Sequence, residues 1–528
     1  MASPSDLPAS ESASSPPAPP GRFNAAAYLL ALNAHRHAKL AYIDDQQALT
    51  YGELDVRVRR CAAGLLAAGL QPGDRMLMVM HDSVDFPTAF LAVLWAGVVP
   101  VPVNTLLPAA DYAYMLTHCE AEAVLVSAPL LDTLNEAVAM SGLLPLVIVS
   151  GEVKGHLSFA SLLTATESES AADSAAHEDA FWLYSSGSTG RPKGVVHSHA
   201  NLYWTATLYA QPVLGLREDD VLFSAAKLFF AYGLGNALSF PLSVGATTVL
   251  MAERPTPAAV FKRWTQQAVT VFFGAPTGFA GMLAAPDLPE RTAVNLRLCS
   301  SAGEALPRDL GERFKRHFGC DIIDGIGSTE MLHIYLSNRP GDVHYGTTGR
   351  AVPGYRLKLI DEDGSTPAVG DIGELHISGP SAARLYWNDP EKTRATFQGE
   401  WTKSGDKYRV NEDGCYVYAG RSDDMLKVSG IYVSPFEVEA TLMQHSAVLE
   451  AAVIGRPDAN GLTRTLAYVV LKAGQAATAD ELKAFVKDRL APYKYPRHIA
   501  FLSELPKTAT GKIQRFRLRN LLNPIDPN

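Results

Sequence analysis

The sequence predicts an α/β fold: a large N-terminal domain with mainly parallel sheets covered by helices plus a small β subdomain, then a small mobile α+β C-terminal domain. Short, nearly continuous apolar runs at 75–80, 123–128, 146–150 and 269–276 alternate with helical patterns. Such runs are typical of parallel strands that are buried on both faces. After about residue 345, segments such as "YRLKLIDEDG" and "GELHISG" predict antiparallel strands joined by turns.

The length of 528 residues exceeds what one ordinary core supports, so several domains are expected. Residues 1–22 are rich in Pro, Ser and Ala and predict a disordered tail. We assign 23–422 to the large domain and 423–528 to the small domain, with a hinge near Asp423.

Composition restricts the class of partner. The chain is 47% hydrophobic and 19% charged, and its formal net charge of −9 disfavours nucleic acid and anionic membranes as partners. No membrane span is expected, because proline interrupts the longest uncharged run, between Asp85 and Asp111. The five cysteines show no CxxC spacing, which indicates buried free thiols and a cytoplasmic location. A homodimer is left open.

The most distinctive stretch is "SSGSTGRPKG", from Ser185 to Gly194. It follows an apolar run that predicts a buried strand, and it offers backbone N–H groups, hydroxyls and two cations that can surround a phosphate. The register does not match Walker A, nor the dinucleotide GxGxxG pattern. Taken alone, the stretch is more typical of a solvated surface loop.

Four further motifs accompany this loop: "GIGSTEM" at 325–331, "SGD" at 404–406, "GRSDDMLKVSG" at 420–430 and "PKTATGKIQR" at 506–515. Together and in this order they resemble the signature motifs of adenylate-forming enzymes, which include acyl-CoA synthetases, adenylation domains and luciferases. The resemblance runs from about Phe23 to Arg519.

The resemblance implies that a carboxylic acid is activated with ATP and Mg²⁺ to an acyl-adenylate, and that coenzyme A then displaces AMP. The loop would hold the β- and γ-phosphates through Ser185, Ser186, Gly187, Ser188, Thr189, Gly190, Arg191 and Lys193. Thr189 and Glu330 would bind Mg²⁺, and Thr329 would contact the α-phosphate. On residue type alone, Thr329 and Glu330 could equally begin a helix as its cap and first-turn acid.

The remaining nucleotide contacts come from separate motifs. The resemblance implies that Gly303, Glu304, Ala305, Asp324 and Ile326 surround the adenine. It further implies that Asp406 accepts the ribose hydroxyls and that Arg421 binds ribose or phosphate oxygens. Taken singly, these last two residues would be a turn aspartate and a surface arginine.

The C-terminal motif places the catalytic lysine, Lys512, on the small domain. In the family such a domain closes for adenylation and then rotates about a hinge, here Asp423, for thiol attack. Lys427 would act in the thioester step, and Ser429 and Gly430 would lie against coenzyme A.

The resemblance places the acyl pocket at segment 227–236, and Gly303 with residues of segment 325–334 would complete it. Its residues would be Phe230, Ala231, Tyr232, Gly303, Ile326, Gly327, His333 and Ile334. Aromatic walls around a short cavity favour a planar ring, although core packing is the commoner fate of such residues. Segments 23–36, 41–45, 227–236 and 325–338 most resemble bacterial benzoate–CoA ligases.

Several functions stay open at this point. Aminobenzoates, hydroxybenzoates or fluorobenzoates, or a short or branched aliphatic acid, could replace benzoate, and the fold could serve a non-catalytic ATP sensor. Two other sites are disfavoured. His197 and His199 have no third ligand nearby in sequence for zinc, and "GSTG" lacks the GxSxG spacing of a serine nucleophile.

Overall fold

The computed structural model describes residues 16–185, 191–422, 425–428, 431–457, 463–490, 494–507 and 513–521. Residues 16–22 of the predicted tail contact the large domain: Tyr203 donates a hydrogen bond to the Pro17 carbonyl (2.6 Å), and Arg22 pairs with Asp173. The predicted disordered tail of residues 1–22 stays a prediction. The hinge residue Asp423 lies outside the described residues, so the domain boundary stays a prediction.

The first part of the chain builds a parallel sheet and its covering helices. Its elements are α1 (Ala25–Ala31), β1 (Leu40–Ile43), β2 (Ala48–Thr50), α2 (Tyr51–Ala67), β3 (Arg75–Val79), α3 (Asp85–Trp95), β4 (Val99–Pro102), α4 (Ala109–His118), β5 (Ala121–Ser127), α5 (Leu131–Ser141), β6 (Leu146–Ser150), β7 (Leu157–Ser158) and α6 (Phe159–Leu162). Five strands pair in the order β4-β3-β5-β6-β7, and every pair is parallel. Helix α3 is apolar and buried on every side, which is typical of a helix that covers a sheet within the core.

The middle part builds the larger sheet. Its elements are β8 (Asp179–Ser185), β9 (Lys193–Ser198), α7 (His199–Thr205), β10 (Val221–Ser224), α8 (Ala231–Leu234), α9 (Phe240–Val244), β11 (Thr247–Val249), α10 (Pro257–Gln266), β12 (Val271–Gly274), α11 (Pro276–Leu283), β13 (Leu298–Ser301), α12 (Arg308–Phe318), β14 (Ile322–Gly327), β15 (Ile334–Ser337) and β16 (Arg350–Ala351). The nine-stranded order is β16-β15-β14-β13-β12-β10-β11-β1-β2. Its central strands are parallel and its edges antiparallel, which confirms the predicted fold class.

The rest of the chain forms the β subdomain and the C-terminal unit. Its elements are β17 (Arg356–Ile360), β18 (Gly373–Ser378), β19 (Leu385–Tyr386), α13 (Pro390–Thr396), β20 (Phe397–Gln398), β21 (Trp401–Val410), β22 (Tyr416–Arg421), β23 (Leu426–Val428), β24 (Ile431–Val433), α14 (Pro435–Met443), β25 (Val448–Pro457), β26 (Thr463–Leu471), α15 (Ala479–Lys487), β27 (His498–Phe501) and α16 (Arg515–Arg519). The predicted antiparallel pairing of β17 with β18 is confirmed, with Leu357 opposite Ile377.

All five cysteines are buried free thiols, as predicted. Within the described ranges, no helix combines the length and apolar character that crossing a bilayer requires.

Candidate active site

The carboxyl ends of four adjacent parallel strands gather the predicted site residues. In the order β14-β13-β12-β10, the segments that follow these strands carry the STEM segment (Ser328–Met331), Gly303 to Ala305, Thr277, which sequence analysis did not single out, and Phe230 to Tyr232. Two hydrogen bonds connect these segments to each other and to the sheet. Thr277 donates to Glu304 (2.8 Å), and Tyr232 donates to Ser300 of β13 (3.0 Å). Ligands of open α/β sheets bind at this edge.

The phosphate loop joins two antiparallel strands. Ser185 ends β8 and lies opposite Lys193, the first residue of β9. Residues 186–190, which include the predicted contacts Ser186, Gly187, Ser188, Thr189 and Gly190, lie outside the described residues. The Arg191 guanidinium lies 5.6 Å from the Tyr114 ring centroid, and Tyr114 in turn donates to the Pro192 carbonyl (3.1 Å).

Lys193 is held beside an aromatic ring close to the STEM segment. Its Nζ lies 5.4 Å from the Tyr386 ring centroid. Partial burial, and then the nearby charge of Lys392, lower the pKa of this lysine below its ordinary value of 10.5. A cation that is partly desolvated in this way binds an incoming phosphate more strongly than a fully hydrated one.

Glu330 lies between the phosphate loop and Tyr386. Its Oε1 accepts a hydrogen bond from the Tyr386 hydroxyl (2.8 Å) and a longer one from Ser185 (3.4 Å). Burial, followed by the charge of Glu330, raises the pKa of Tyr386 well above its ordinary value, so the phenol remains a donor. The loop and the STEM segment, distant in sequence, are thus brought together. Sequence reasoning did not find Tyr386.

The STEM segment forms one turn of 3₁₀ helix, Thr329–Met331, rather than the start of an α-helix. Ser328, not Thr329, caps this turn by accepting the Met331 N–H (3.2 Å). The following residue, Leu332, has φ 64°, a conformation that costs a bulky residue about 1–3 kcal/mol and is typical of functional sites.

His197, disfavoured above as a zinc ligand, holds this turn from behind. Its Nε2 donates to the Thr329 carbonyl (2.9 Å), and its Nδ1 accepts from the Asn201 side chain (2.9 Å). Asn201 also donates to the Ser381 carbonyl (3.0 Å). The neutral imidazole is therefore fully satisfied, and it positions Thr329 without reaching substrate. The HSH sequence at 197–199 does not indicate that His197 would bind the Thr329 carbonyl and Asn201.

Burial lowers the pKa of His197 from 6.5 to about 3. The folded protein cannot take up the proton that the unfolded chain binds below pH 6.5, so stability is present above that pH and is lost as the pH falls. When the pH falls from about 7 to about 5, we expect the free energy of unfolding to decrease by about 2 kcal/mol because of this residue.

The His197→Gln variant should therefore lose about 2 kcal/mol less than the parent over that pH range, as measured by urea unfolding. His156→Gln is the matched control, because that side chain is exposed. An identical pH dependence in the parent and His197→Gln would refute the buried neutral state.

The ribose motif forms a register pair in the β subdomain. Asp406 of β21 lies opposite Arg421 of β22, and their side chains form an ion pair of 3.1 Å. Arg421 also donates to the Ser404 carbonyl (3.2 Å), and the charge of Asp406 raises the pKa of Arg421 further. The two residues that sequence analysis assigned to the ribose thus lie side by side, with Asp406 buried and Arg421 half-exposed.

Asp324, the predicted partner of the adenine amino group, is buried on β14. No described group hydrogen-bonds its Oδ1, and burial raises its pKa well above the ordinary value of 3.8. An unpartnered buried acceptor is costly, so a donor from a bound base would satisfy it. Gly303 has φ 95°, and both Glu304 and Ala305 are partly exposed at the same sheet edge.

The predicted acyl pocket contains a partly exposed wall and a buried end. The partly exposed members are Phe230, Ala231, Tyr232, Ile326 and Gly327, whereas His333 and Ile334 are buried. Gly327 is required where it lies, because a Cβ there would come within 2.5 Å of the His333 carbonyl oxygen. Ile334 pairs with Gly327 across β14 and β15.

His333 closes the buried end within an aromatic cluster. Its ring centroid lies 4.4 Å from Phe240, 5.3 Å from Tyr232 and 5.6 Å from Tyr209. Burial lowers its pKa to about 3, so the ring is neutral, and Nε2 donates to the Asn236 side-chain oxygen (3.2 Å). The buried end is therefore formed by aromatic rings and a neutral imidazole hydrogen-bonded to the Asn236 amide, which suits an uncharged ring.

The small domain supplies the rest of the predicted machinery. Lys512, Ser429 and Gly430 lie outside the described residues, and Lys427 lies on β23, where it pairs with Tyr432. These assignments stay predictions.

The described residues on either side of the segment that carries Lys512 are fixed by contacts. Lys507 and Ile513 pair across it, Lys507 forms an ion pair with Glu450, and Arg515 contacts the buried Glu439 through a 2.7 Å ion pair.

Comparison with known proteins places the chain in a family. The AMP-binding enzyme model matches residues 31–387, and the AMP-binding enzyme C-terminal domain matches 437–512. A benzoate–CoA ligase of Thauera aromatica is 59% identical over 95% of this chain and 96% of that protein. The structure of a benzoate CoA ligase from Burkholderia xenovorans LB400 aligns with a TM-score of 0.90 and 59% identity, covering 94% of this chain and 100% of that one.

An anthranilate CoA ligase, AuaEII, in complex with anthranoyl-AMP aligns with a TM-score of 0.91 and 41% identity, covering 95% of this chain and 97% of that one. The resemblance drawn from the five motifs is thereby confirmed. The chain belongs to the family of AMP-binding enzymes.

Proposed function

We propose that the protein is an ATP-dependent benzoate–CoA ligase. In the first step a benzoate oxygen attacks the α-phosphorus of ATP, which gives benzoyl-AMP and pyrophosphate. In the second step the coenzyme A thiol loses its proton and attacks the acyl carbon, which gives benzoyl-CoA and AMP. The observation that carries the proposal is the 59% identity to a benzoate–CoA ligase over 95% of the chain.

The pocket supports an aromatic acid over a long aliphatic one. A Cβ at Gly235 would come within 2.4 Å of His333 Cδ2, so the imidazole packs directly against the backbone just after α8. Together with Tyr209 and Phe240, His333 leaves its end of the pocket closed. Aromatic walls favour a ring through offset and edge contacts, whereas an alkyl chain would need a deeper tunnel.

The phosphates and Mg²⁺ are assigned to the polar groups of the phosphate loop and the STEM segment. Mg²⁺ prefers carboxylate and phosphate oxygens, and Glu330 supplies a carboxylate oxygen 3.4 Å from the Ser185 hydroxyl, at the start of the phosphate loop. Mg²⁺ would neutralise charge on the phosphates, while Lys193 and Arg191 hold pyrophosphate and Thr329 contacts the α-phosphate. Thr189 is proposed as a second oxygen ligand.

Adenine would satisfy Asp324 and lie against Ile326, next to the segment from Gly303 to Ala305. The ribose hydroxyls would bind Asp406, with Arg421 beside them. Asp406 pairs with Arg421 at 3.1 Å, and its carboxylate oxygens can accept the two hydroxyl hydrogens as charge-assisted hydrogen bonds.

The small domain is proposed to alternate between two positions. Lys512 bridges the carboxylate and the α-phosphate in the first, and rotation about Asp423 brings Lys427, Ser429 and Gly430 to coenzyme A in the second. The five buried thiols fit a reducing compartment, so we propose a cytoplasmic location.

An acid panel tests the substrate class. With ATP, Mg²⁺ and coenzyme A, benzoate should give the highest kcat/KM for AMP formation, about 10-fold or more above 2-aminobenzoate and 4-hydroxybenzoate, because a missing or extra ring group is worth about 1–3 kcal/mol in an apolar pocket. A higher kcat/KM for hexanoate would overturn the aryl assignment, and a higher value for 2-aminobenzoate would shift it to anthranilate. Absence of AMP with every acid would indicate a non-catalytic ATP-binding protein.

A further inference from the structure

Three potential metal ligands meet in the β subdomain, within a cluster formed by His344, Asp413 and Cys415. His344 lies in the loop between β15 and β16, and the other two lie in the turn between β21 and β22. One imidazole nitrogen, one carboxylate oxygen and the thiol sulfur all lie within 4.8 Å of one another. None of these residues takes part in the proposed ligase reaction.

The hydrogen bonds of the cluster leave two acceptors facing each other. Asp342 accepts a hydrogen bond from His344 Nε2 (2.8 Å), so in the neutral ring Nδ1 carries the lone pair. Nδ1 lies 3.9 Å from Oδ2 of Asp413, whose Oδ1 already accepts the Cys415 N–H (2.9 Å). A cation bound between these two lone pairs would relieve their mutual repulsion.

The backbone fixes the two loops against each other. Thr348 N–H donates to the Tyr416 carbonyl, and Tyr416 N–H donates to the Gly349 carbonyl, both at 2.8 Å. Arg350 spans the loops as well, because it pairs with Asp342 (3.0 Å) and donates to the Asp413 carbonyl (2.9 Å). Binding therefore requires only side-chain adjustment.

We propose that this cluster binds one divalent cation of the zinc class, with the imidazole, carboxylate and thiolate as ligands and water in the fourth position. Thiolate and imidazole select Zn²⁺ or Co²⁺ over Mg²⁺ or Ca²⁺. On binding, the Cys415 thiol releases its proton to solvent. Cys415 is buried, whereas His344 and Asp413 are 39% and 49% exposed and leave a route for the ion.

Asp342 acts on this site as a positioning residue. Its hydrogen bond to Nε2 is the arrangement in which a carboxylate orients a metal-bound histidine, and loss of such a partner costs about 10–100-fold in metal affinity. A bound ion would cross-link the 338–348 loop to the hairpin whose strands carry Asp406 and Arg421. The role is thus a structural brace outside the catalytic site.

Cobalt titration of the full chain, after chelator treatment, tests the proposal. One equivalent of Co²⁺ should give a thiolate-to-cobalt charge-transfer band, and Zn²⁺ should abolish the band by competition. Cys415→Ser should lose the band. Asp342→Asn should weaken Co²⁺ binding about 10–100-fold.

Asp413→Asn should also weaken binding, and Asp363→Asn is its matched control. Asp363 accepts the Ser365 N–H (2.8 Å) in the same kind of turn, between β17 and β18, where the turn contains neither histidine nor cysteine. No band in the parent, a band that persists in Cys415→Ser, or equal affinities in Asp413→Asn and Asp363→Asn would each overturn the proposal. Circular dichroism of each variant separates lost ligands from lost folding.

Discussion

Replacement of Lys512 with alanine is expected to lower benzoyl-AMP formation by about 10²–10³-fold or more while largely sparing the transfer of a supplied benzoyl-AMP to coenzyme A. The first step concentrates negative charge on the carboxylate and the α-phosphate, and the proposed lysine bridge is the group that would stabilise that charge. The second step is proposed to use another face of the small domain. The two rates are measured separately, as pyrophosphate release and as benzoyl-CoA formation from benzoyl-AMP.

Lys483→Ala is the matched control, because Lys483 lies on the same small domain and pairs with Asp480 within α15 (3.3 Å). It should leave both rates near those of the parent. Equal losses in both half-reactions of Lys512→Ala would contradict domain alternation. Lys427→Ala provides the opposite case, in which the thioester step should fall more than adenylation.

Local pattern predicted the fold well. The run "DAFWLYS" becomes β8, Asp179–Ser185, because its apolar residues and the Gly/Ser stretch after it specify a buried strand and its end. Likewise, Asp406 and Arg421 occur in two motifs that become adjacent antiparallel strands, so their proximity follows once the pairing is known.

Other parts of the site depend on contacts that local pattern does not encode. His197 reaches the Thr329 carbonyl across 132 positions, and Tyr386 reaches Glu330 across 56. Each looks like an ordinary core or surface residue in its own segment, and only the folded sheet brings it to its partner. On residue type alone Thr329 could cap a helix, whereas in the structure Ser328 caps a single 3₁₀ turn.

Glu330→Gln is expected to lower the maximal rate of pyrophosphate release by about 10²-fold and to raise the Mg²⁺ concentration needed for half-maximal activity. The amide oxygen can still accept the Tyr386 hydroxyl, so the local fold should be kept, but the charge that Mg²⁺ prefers is removed. Glu312→Gln is the matched control, because Glu312 pairs only within its own helix among the contacts resolved here, with Arg308 at 2.9 Å.

Tyr386→Phe separates charge from orientation. It removes the 2.8 Å donor while leaving the Glu330 carboxylate charged, so we expect a smaller loss, about 10-fold, with a lesser change in Mg²⁺ dependence. Pyrophosphate release at a series of Mg²⁺ concentrations with saturating benzoate distinguishes the two variants. If Glu330→Gln changed the KM for benzoate while its Mg²⁺ dependence matched that of the parent, Glu330 would belong to the acyl pocket and the metal would lie elsewhere.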